Sequence, residues 1–299
     1  MKFDAIIIDG RHLLHRISHV CSKQSREFAN IIAIGFLGSC QKIHRQWGGK
    51  LFMAWEGEGN FRFDIFPEYK ARSEPSEDLD ILLRRMDLQQ RILQRVLCML
   101  GCEQYLGNGG EGDDVIGYLA EVLKRRFNKI AIYSGDSDLR QLVDAKISTI
   151  SPVSGSDVVY DVNRVQTEHG VTPEQIPALK ALTGDKSDCI PGVEGIGPKK
   201  ASLLLARYGN LENVFQAARG DSDWVKEINV NLRKRLVDSE PLVRRNLALT
   251  TIQTTEKFVR PYPSNESDPR SVLAFIDDLG LRSVIVEVER FSKMFTRSR

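Results

Sequence analysis

Three short apolar runs mark the first half of the chain. Residues 4–8 are rich in isoleucine and end in Asp9-Gly10; residues 51–55 (LFMAW) and 130–134 (IAIYS) repeat that design, each followed by glycine and an acidic residue. Runs that are apolar at every position suit strands buried on both faces. Between them Leu79, Leu82, Leu83, Met86, Ile92, Leu93, Val96, Leu97 and Leu100 recur at three- and four-residue spacing. That spacing predicts an amphipathic helix, with a candidate break near Gln89. Val115, Ile116, Leu119, Val122 and Leu123 predict a second helix that opens at Asp113-Asp114. Strands alternating with helices imply an α/β fold around a mostly parallel sheet. After residue 160 the pattern changes to short helices at 173–183, 198–208, 211–218 and 223–235, with proline at or near the starts and no convincing strand. A soft boundary falls near 170. A polar, proline-rich linker from Pro261 to Pro269 precedes a final helix near 270–280 and a strand at 283–287.

Composition narrows the class. The chain has 299 residues, 41% apolar and 27% charged, which argues against general disorder. No apolar run approaches the ~20 residues of a membrane span, and none resembles a signal peptide. The five cysteines include no CxxC pair, which excludes a disulfide scaffold or zinc ribbon and leads us to expect reduced thiols in a cytoplasm.

Acidic residues gather at the strand ends and helix starts. Asp9 closes the first strand, and Glu56 follows the second, with Glu58 as an alternative. Glu111, Asp113 and Asp114 open a helix, Asp136 and Asp138 follow the strand at 130–134, and Asp185 and Asp188 follow the first helix of the second module. The ends of parallel strands share one edge, where ligands bind, so these groups are expected to meet. Two like charges 4 Å apart repel by about 4 kcal/mol at an effective dielectric near 20. Seven to nine carboxylates together therefore need divalent cations. Oxygen-only ligands suit Mg²⁺ or Mn²⁺, and the number fits two ions, the usual apparatus for splitting a phosphodiester. The net charge of +2 then reads differently: without these nine carboxylates the remainder carries +11, as a surface that holds a polyanion would.

The segment LTGDKSDCIPGVEGIGPKKASLLLARYGN is the most specific stretch. Gly192, Gly195 and Gly197 punctuate a tight link between two helices, and Pro198 begins the next with Lys199 and Lys200 beside it. Backbone N–H groups at such a start form a site for a DNA phosphate. This turn resembles the helix-three-turn-helix of the flap endonuclease family of 5′ nucleases, with a pattern close to GDxSDNIPGVxGIGxKTA. IIIDG, FRFDIFPEYK, EGDDVIGYLA and SGDSDLRQLV stand in that family's order. The resemblance spans residues 4 to about 215.

The resemblance implies a PIN-like 5′-nuclease core over 1–170 with a helical arch at about 63–100, a helix-three-turn-helix module over 171–260, and a tail over 261–299 that returns to the core. It implies a 5′→3′ exonuclease and flap endonuclease acting on DNA flaps, nicks or free 5′ ends. Asp9, Glu56, Glu111, Asp113 and Asp114, with Asp136 shared, would hold one Mg²⁺ or Mn²⁺; Asp138, Asp185 and Asp188 would hold the second. Val193 and Ile196 would offer backbone carbonyls to K⁺, and Gly195, Gly197, Lys199 and Lys200 would grip phosphate. Arg16, Arg62, Tyr69, Lys70 and Arg72 carry the substrate side, with Lys70 facing the scissile phosphate and Tyr69 stacking on a base. Glu56 stands where the family usually has aspartate, Cys189 where it has asparagine, and the YKxNR ending after PEYK is missing. A free-standing monomer is expected. An RNA-primer-removing or PIN-like ribonuclease, and an inactive DNA-binding protein, are the alternatives. His12, His15 and His19 share a helix face without completing a zinc set.

Overall fold

The structure is a computed structural model that describes residues 1–21, 31–71, 77–153, 156–220, 228–263, 274–275, 277–278, 280 and 293–295, with the backbone alone at 19–21, 31 and 77–80. The first strand, β1 (Phe3–Asp9), feeds α1 (Gly10–Cys21); α2 (Ile31–Trp47) leads into β2 (Gly48–Glu58). A short α3 (Arg62–Ile65) and the long α4 (Glu77–Met99) precede β3 (Glu103–Asn108). Next come α5 (Gly112–Leu123), β4 (Ile130–Tyr133), β5 (Ile147–Val153) and β6 (Ser156–Tyr160). The second module runs through α6 (Val162–His169), α7 (Ile176–Thr183), the two-residue strands β7 (Gly184–Asp185) and β8 (Ile190–Pro191), α8 (Pro198–Tyr208) and α9 (Leu211–Arg219). It closes with α10 (Val230–Asp238), α11 (Glu240–Thr250) and β9 (Val259–Pro261).

The main sheet has the order β6-β5-β4-β1-β2-β3-β9; its five central strands are parallel and both edge strands antiparallel. Strand periodicity explains the uniformly apolar runs. Ile6, Ile8, Leu51, Met53 and Trp55 join a core with α1, α2 and α4, while Ala5, Ile7, Phe52 and Ala54 join the core under α5. A separate core of Leu179, Leu182, Leu204, Leu205, Val214, Phe215 and Leu236 holds the helical module together. Among the described residues no helix is long and apolar enough to cross a membrane.

Several sequence expectations change. The helix after residue 79 is unbroken, because Gln89 turns inward and accepts the Ala33 N–H at 3.3 Å. Its later turns bury Met86, Leu93, Val96 and Leu97, so the second half of the expected arch is core. Strands do follow residue 160: β7 and β8 pair inside the glycine turn, and β9 adds to β3. The helix expected at 223–235 begins at Val230, with 221–227 outside the described residues, as is most of 264–299 with its expected helix and strand. Met294 and Phe295 lie buried in the first core.

A candidate metal centre at the carboxyl edge of the sheet

The chain leaves β1 toward β2 on one side and later returns to β4 on the other, so the sheet has its switch point between β1 and β4. Ligand crevices form at the carboxyl ends there. Asp9 is the last residue of β1, and Asp136 lies just past β4. Asp9 accepts the His12 N–H at 2.9 Å and the Ser134 hydroxyl at 2.8 Å. Glu56 comes from β2, and α5 adds Glu111 as its N-cap with Asp113 in its first turn. Burial pushes Asp113 well above the usual carboxylate range, and the charges of Asp136, Asp9 and Glu111 push the same way. Asp9 is raised by burial despite its two hydrogen bonds. Glu56 is raised mainly by burial, against Lys70 and Arg11. These acids share one field.

A second set lies beside the first. Asp138 opens a 3-10 turn after β4, and Asp185 and Asp188 sit on the β7–β8 turn. One oxygen from each lies within 4.8 Å of the others. The turn that carries them is shaped by glycine: a Cβ at Gly192 would sit 2.1 Å from the Thr183 carbonyl oxygen. Lys180 donates to Asp138 and, at 2.7 Å, to Asp185. For Asp185, burial works against the charge, but Lys180 and Ser187 outweigh it and lower the carboxyl. Asp188 is raised, chiefly by burial.

The segment before α4 joins the two sets. Lys70 adopts the left-handed backbone region (φ 52°), its N–H donates to the Asp188 carbonyl at 2.9 Å, and Nζ donates to Glu111 at 2.7 Å. Burial works against its ammonium, yet Glu111 and Asp188 hold its pKa above the ordinary lysine value. Cys189 is left-handed too (φ 58°), and its Sγ lies 3.1 Å from the Ala71 carbonyl. Lys70, Glu111, Asp113, Asp138, Asp185 and Asp188 all line one cleft of about 440 Å³.

Four expected roles need correcting. Asp114 is fully buried and accepts both Arg62 guanidinium NH groups, at 2.7 and 3.0 Å, and the N–H groups of Glu111 and Gln253 at 2.8 Å each. Its oxygens are spoken for, so it braces the site and does not face an ion. Arg62 is buried with it and also donates to the Leu249 carbonyl at 2.8 Å, which withdraws it from substrate. Tyr69 is buried, and its hydroxyl donates to Glu111 at 3.1 Å and Asp188 at 3.3 Å, so its ring is no stacking platform. Lys200 turns back onto the Gly195 carbonyl at 2.9 Å, which leaves Lys199 as the exposed lysine of the α8 start.

Other placements follow. Glu56 and Glu58 are both solvent-exposed on β2; Glu58 lies opposite Asn108, and Glu56 is the one that shares the field of Asp9 and Glu111. Arg16 is exposed on α1, with its guanidinium 3.4 Å from the Tyr133 hydroxyl. Arg72 lies outside the described residues. Val193 and Ile196 bury their side chains, and the Val193 carbonyl accepts the Ile196 N–H at 3.0 Å. Gly197 is the N-cap of α8.

Residues 4–170 match the family described as 5'-3' exonuclease, N-terminal resolvase-like domain, and residues 171–263 match its C-terminal SAM fold. The chain belongs to the 5'-3' exonuclease family. A 5'-3' exonuclease of Aquifex aeolicus is 31% identical over 229 residues, covering 77% of this chain and 74% of that one. The thermostable DNA polymerase I of Thermus filiformis is 30% identical over 287 residues; the match covers 94% of this chain but spans only 33% of the polymerase. The T5 D15 protein, co-crystallised with metal ions, superposes with a TM-score of 0.70 at 22% identity, covering 97% and 99% of the two chains. Human GEN1 bound to Holliday junction DNA gives 0.67 at 15% identity over 99% of this chain and 75% of its own. At such identities the two structures establish a shared fold.

Within this 5'-3' exonuclease fold, several residues that touch the site had no part in it by sequence, His12 having been weighed as a zinc ligand. Lys180 bridges two carboxylates, Ser134 and His12 hold Asp9, and Asn60 donates to Glu111 at 2.9 Å. Only Lys180 left a signal, an ion-pairing side chain little more than one helical turn before the Gly184-Asp185 turn. The other three act through partners far away in sequence or through backbone groups.

Proposed function

We propose that the chain is a divalent-metal-dependent, structure-specific 5′ nuclease that hydrolyses DNA phosphodiesters near 5′ ends, flaps and nicks. One observation carries the reading: Glu111, Asp113 and Asp136 of the first carboxylate set, all three acids of the second and Lys70 line the same cleft of about 440 Å³, on the carboxyl edge of the sheet. The T5 structure with metal ions and the GEN1 structure with DNA support it, as does the exonuclease relative.

Asp9, Glu56, Glu111, Asp113 and Asp136 would hold one Mg²⁺ or Mn²⁺, and Asp138, Asp185 and Asp188 the other. The donor set fits hard cations: it is all oxygen, and the raised acids resist shared ionisation without positive charge. Bound ions would supply Lewis acidity and a lowered pKa for an attacking water. The protein's own groups do the positioning. Lys70 stays protonated and holds its charge at Glu111, on the rim where a scissile phosphate would enter. The α8 start, with Gly197 and exposed Lys199, would clamp duplex phosphate without reading bases. Gly195 would shape that turn, K⁺ would sit on the Val193 and Ile196 carbonyls, and Arg16 and Arg72 would steer the 5′ strand. The enzyme would act as a monomer on these DNA ends.

The test is cleavage of 5′-labelled flap, nicked and single-stranded DNA, with an RNA flap of the same sequence, with and without Mg²⁺. Flap cleavage that needs Mg²⁺ and disappears in Asp113→Ala is the expected outcome. Unimpaired cleavage by Asp113→Ala sinks the assignment, and faster cleavage of the RNA flap makes the protein a primer-directed ribonuclease.

A further inference from the structure

Lys180 has no part in the mechanism above, yet it sits where the outer carboxylates converge. Its ammonium donates to Asp138 Oδ1 and, at 2.7 Å, to Asp185 Oδ2. These are two of the three acids whose oxygens gather within 4.8 Å. The Lys180 side chain is 18% exposed, and Asp138 and Asp185 are 18% and 13% exposed, so this is no solvated surface pair. The contact also joins the modules, because Asp138 follows β4 of the sheet and Asp185 follows α7. The inner set differs: among the described residues, no ammonium or guanidinium is hydrogen-bonded to Asp9, Asp113 or Asp136, and the Lys70 ammonium is hydrogen-bonded to Glu111.

We propose that Lys180 is the built-in counter-cation of the outer site, which it occupies in competition with a divalent ion. The inference rests on the two-ion reading above. A fixed positive charge among three carboxylates cuts the net charge an incoming ion meets from −3 to −2. The ion must also displace two charge-assisted hydrogen bonds to reach Asp138 and Asp185. Without DNA the outer site therefore binds its ion weakly. Lysine carries a compact charge on a flexible four-carbon stem, and Lys180 lines the cleft that the phosphates would enter. A phosphate oxygen can take the ammonium while the vacated carboxylates take the ion, so DNA and the second ion strengthen each other's binding, as linkage requires.

The experiment counts ions on the full chain in the absence of DNA, with Mn²⁺ followed by calorimetry and by the spin-resonance signal of the free ion. Wild type is expected to bind one Mn²⁺ tightly and a second at least tenfold more weakly. Lys180→Met tightens the second by tenfold or more and leaves the first unchanged, and Lys180→Arg keeps the wild-type pattern. Lys180→Gln carries the same expectation should the methionine variant not fold. A second-ion affinity that is unchanged or weaker in the folded neutral variants overturns the proposal and makes Lys180 a structural clamp. A wild type that binds no Mn²⁺ at all refutes the two-ion reading itself, an outcome distinct from a first ion that binds normally.

Discussion

Arg62 separates a structural role from a substrate-binding one. Its guanidinium makes four hydrogen bonds, two to Asp114 and one each to the carbonyls of Leu249 and Thr251. The Arg62 side chain is 3% exposed, and Asp114 is wholly buried. Arg62→Met leaves the Asp114 carboxylate in the interior with only two backbone N–H donors. Breaking a buried pair in this way costs about 3–5 kcal/mol. At roughly 2–4 °C per kcal/mol, the melting temperature should fall by about 10 °C. Pairing the change with Asp114→Leu removes the stranded charge and should recover much of the loss, since apolar replacement of a buried pair is often nearly neutral. The assay is urea and thermal unfolding of ion-free protein, with DNA binding measured across a salt series. Arg62 touches no phosphate in this account, so the salt slope should not change. An Arg62→Met variant as stable as wild type, whose salt slope drops by about one phosphate contact, would refute the reasoning and return Arg62 to the DNA.

Three further outcomes are expected. Gly192→Ala drives a Cβ to 2.1 Å from the backbone oxygen of Thr183; the turn must open, costing about 1–3 kcal/mol and displacing Asp185 and Asp188. Flap cleavage should then fall far more than in Gly197→Ala, where a Cβ meets nothing within 4 Å; equal losses would contradict this. Lys70→Ala should slow single-turnover cleavage by a hundredfold or so, as loss of one electrostatic stabiliser does, with little change in DNA affinity; matched losses in both would reduce the lysine to a binding contact. Ion-free protein should be more stable near pH 5.5 than near pH 7.5. Asp9, Glu56, Asp113 and Asp188 are raised in the folded state, so it holds more protons than the unfolded chain, and stability drains away as pH rises through those elevated values. Asp185 is lowered and acts oppositely, but only below the ordinary carboxylate range near pH 4. His169, lowered by burial and the Arg140 charge, also acts oppositely, around the ordinary histidine range near pH 6.5, where this single group offsets part of the trend of the four raised acids. Mg²⁺ should close the gap; a melting temperature that climbs steadily from pH 5.5 to 7.5 without ions would count against the shared acidic field.

Much of the architecture was legible because it is written in local periodicity. The three apolar runs became β1, β2 and β4, and the helices expected at 198–208 and 211–218 are α8 and α9, the first beginning at its proline. The strands that escaped, β3, β5, β6, β7, β8 and β9, have mixed or short patterns whose pairing depends on neighbours already in place. The helices α2, α6 and α11 were passed over as well. The convergence of acids was also legible, since strand ends in a parallel sheet face one edge.

What the sequence alone determined, then, is a strand-and-helix grammar that delivers carboxylates to a single edge. Tertiary structure decided what each of them does there. Asp113 and Asp114 are neighbours of identical chemistry, but successive helical residues point about 100° apart. One faces the cleft, and the other meets Arg62, 52 residues earlier in the chain. Arg62 and Lys70 are likewise both expected on the substrate side, yet the first is sealed in the interior and the second reaches the rim. Burial and charge pairing are properties of three-dimensional neighbourhoods, and the partners that set them here come from distant parts of the chain.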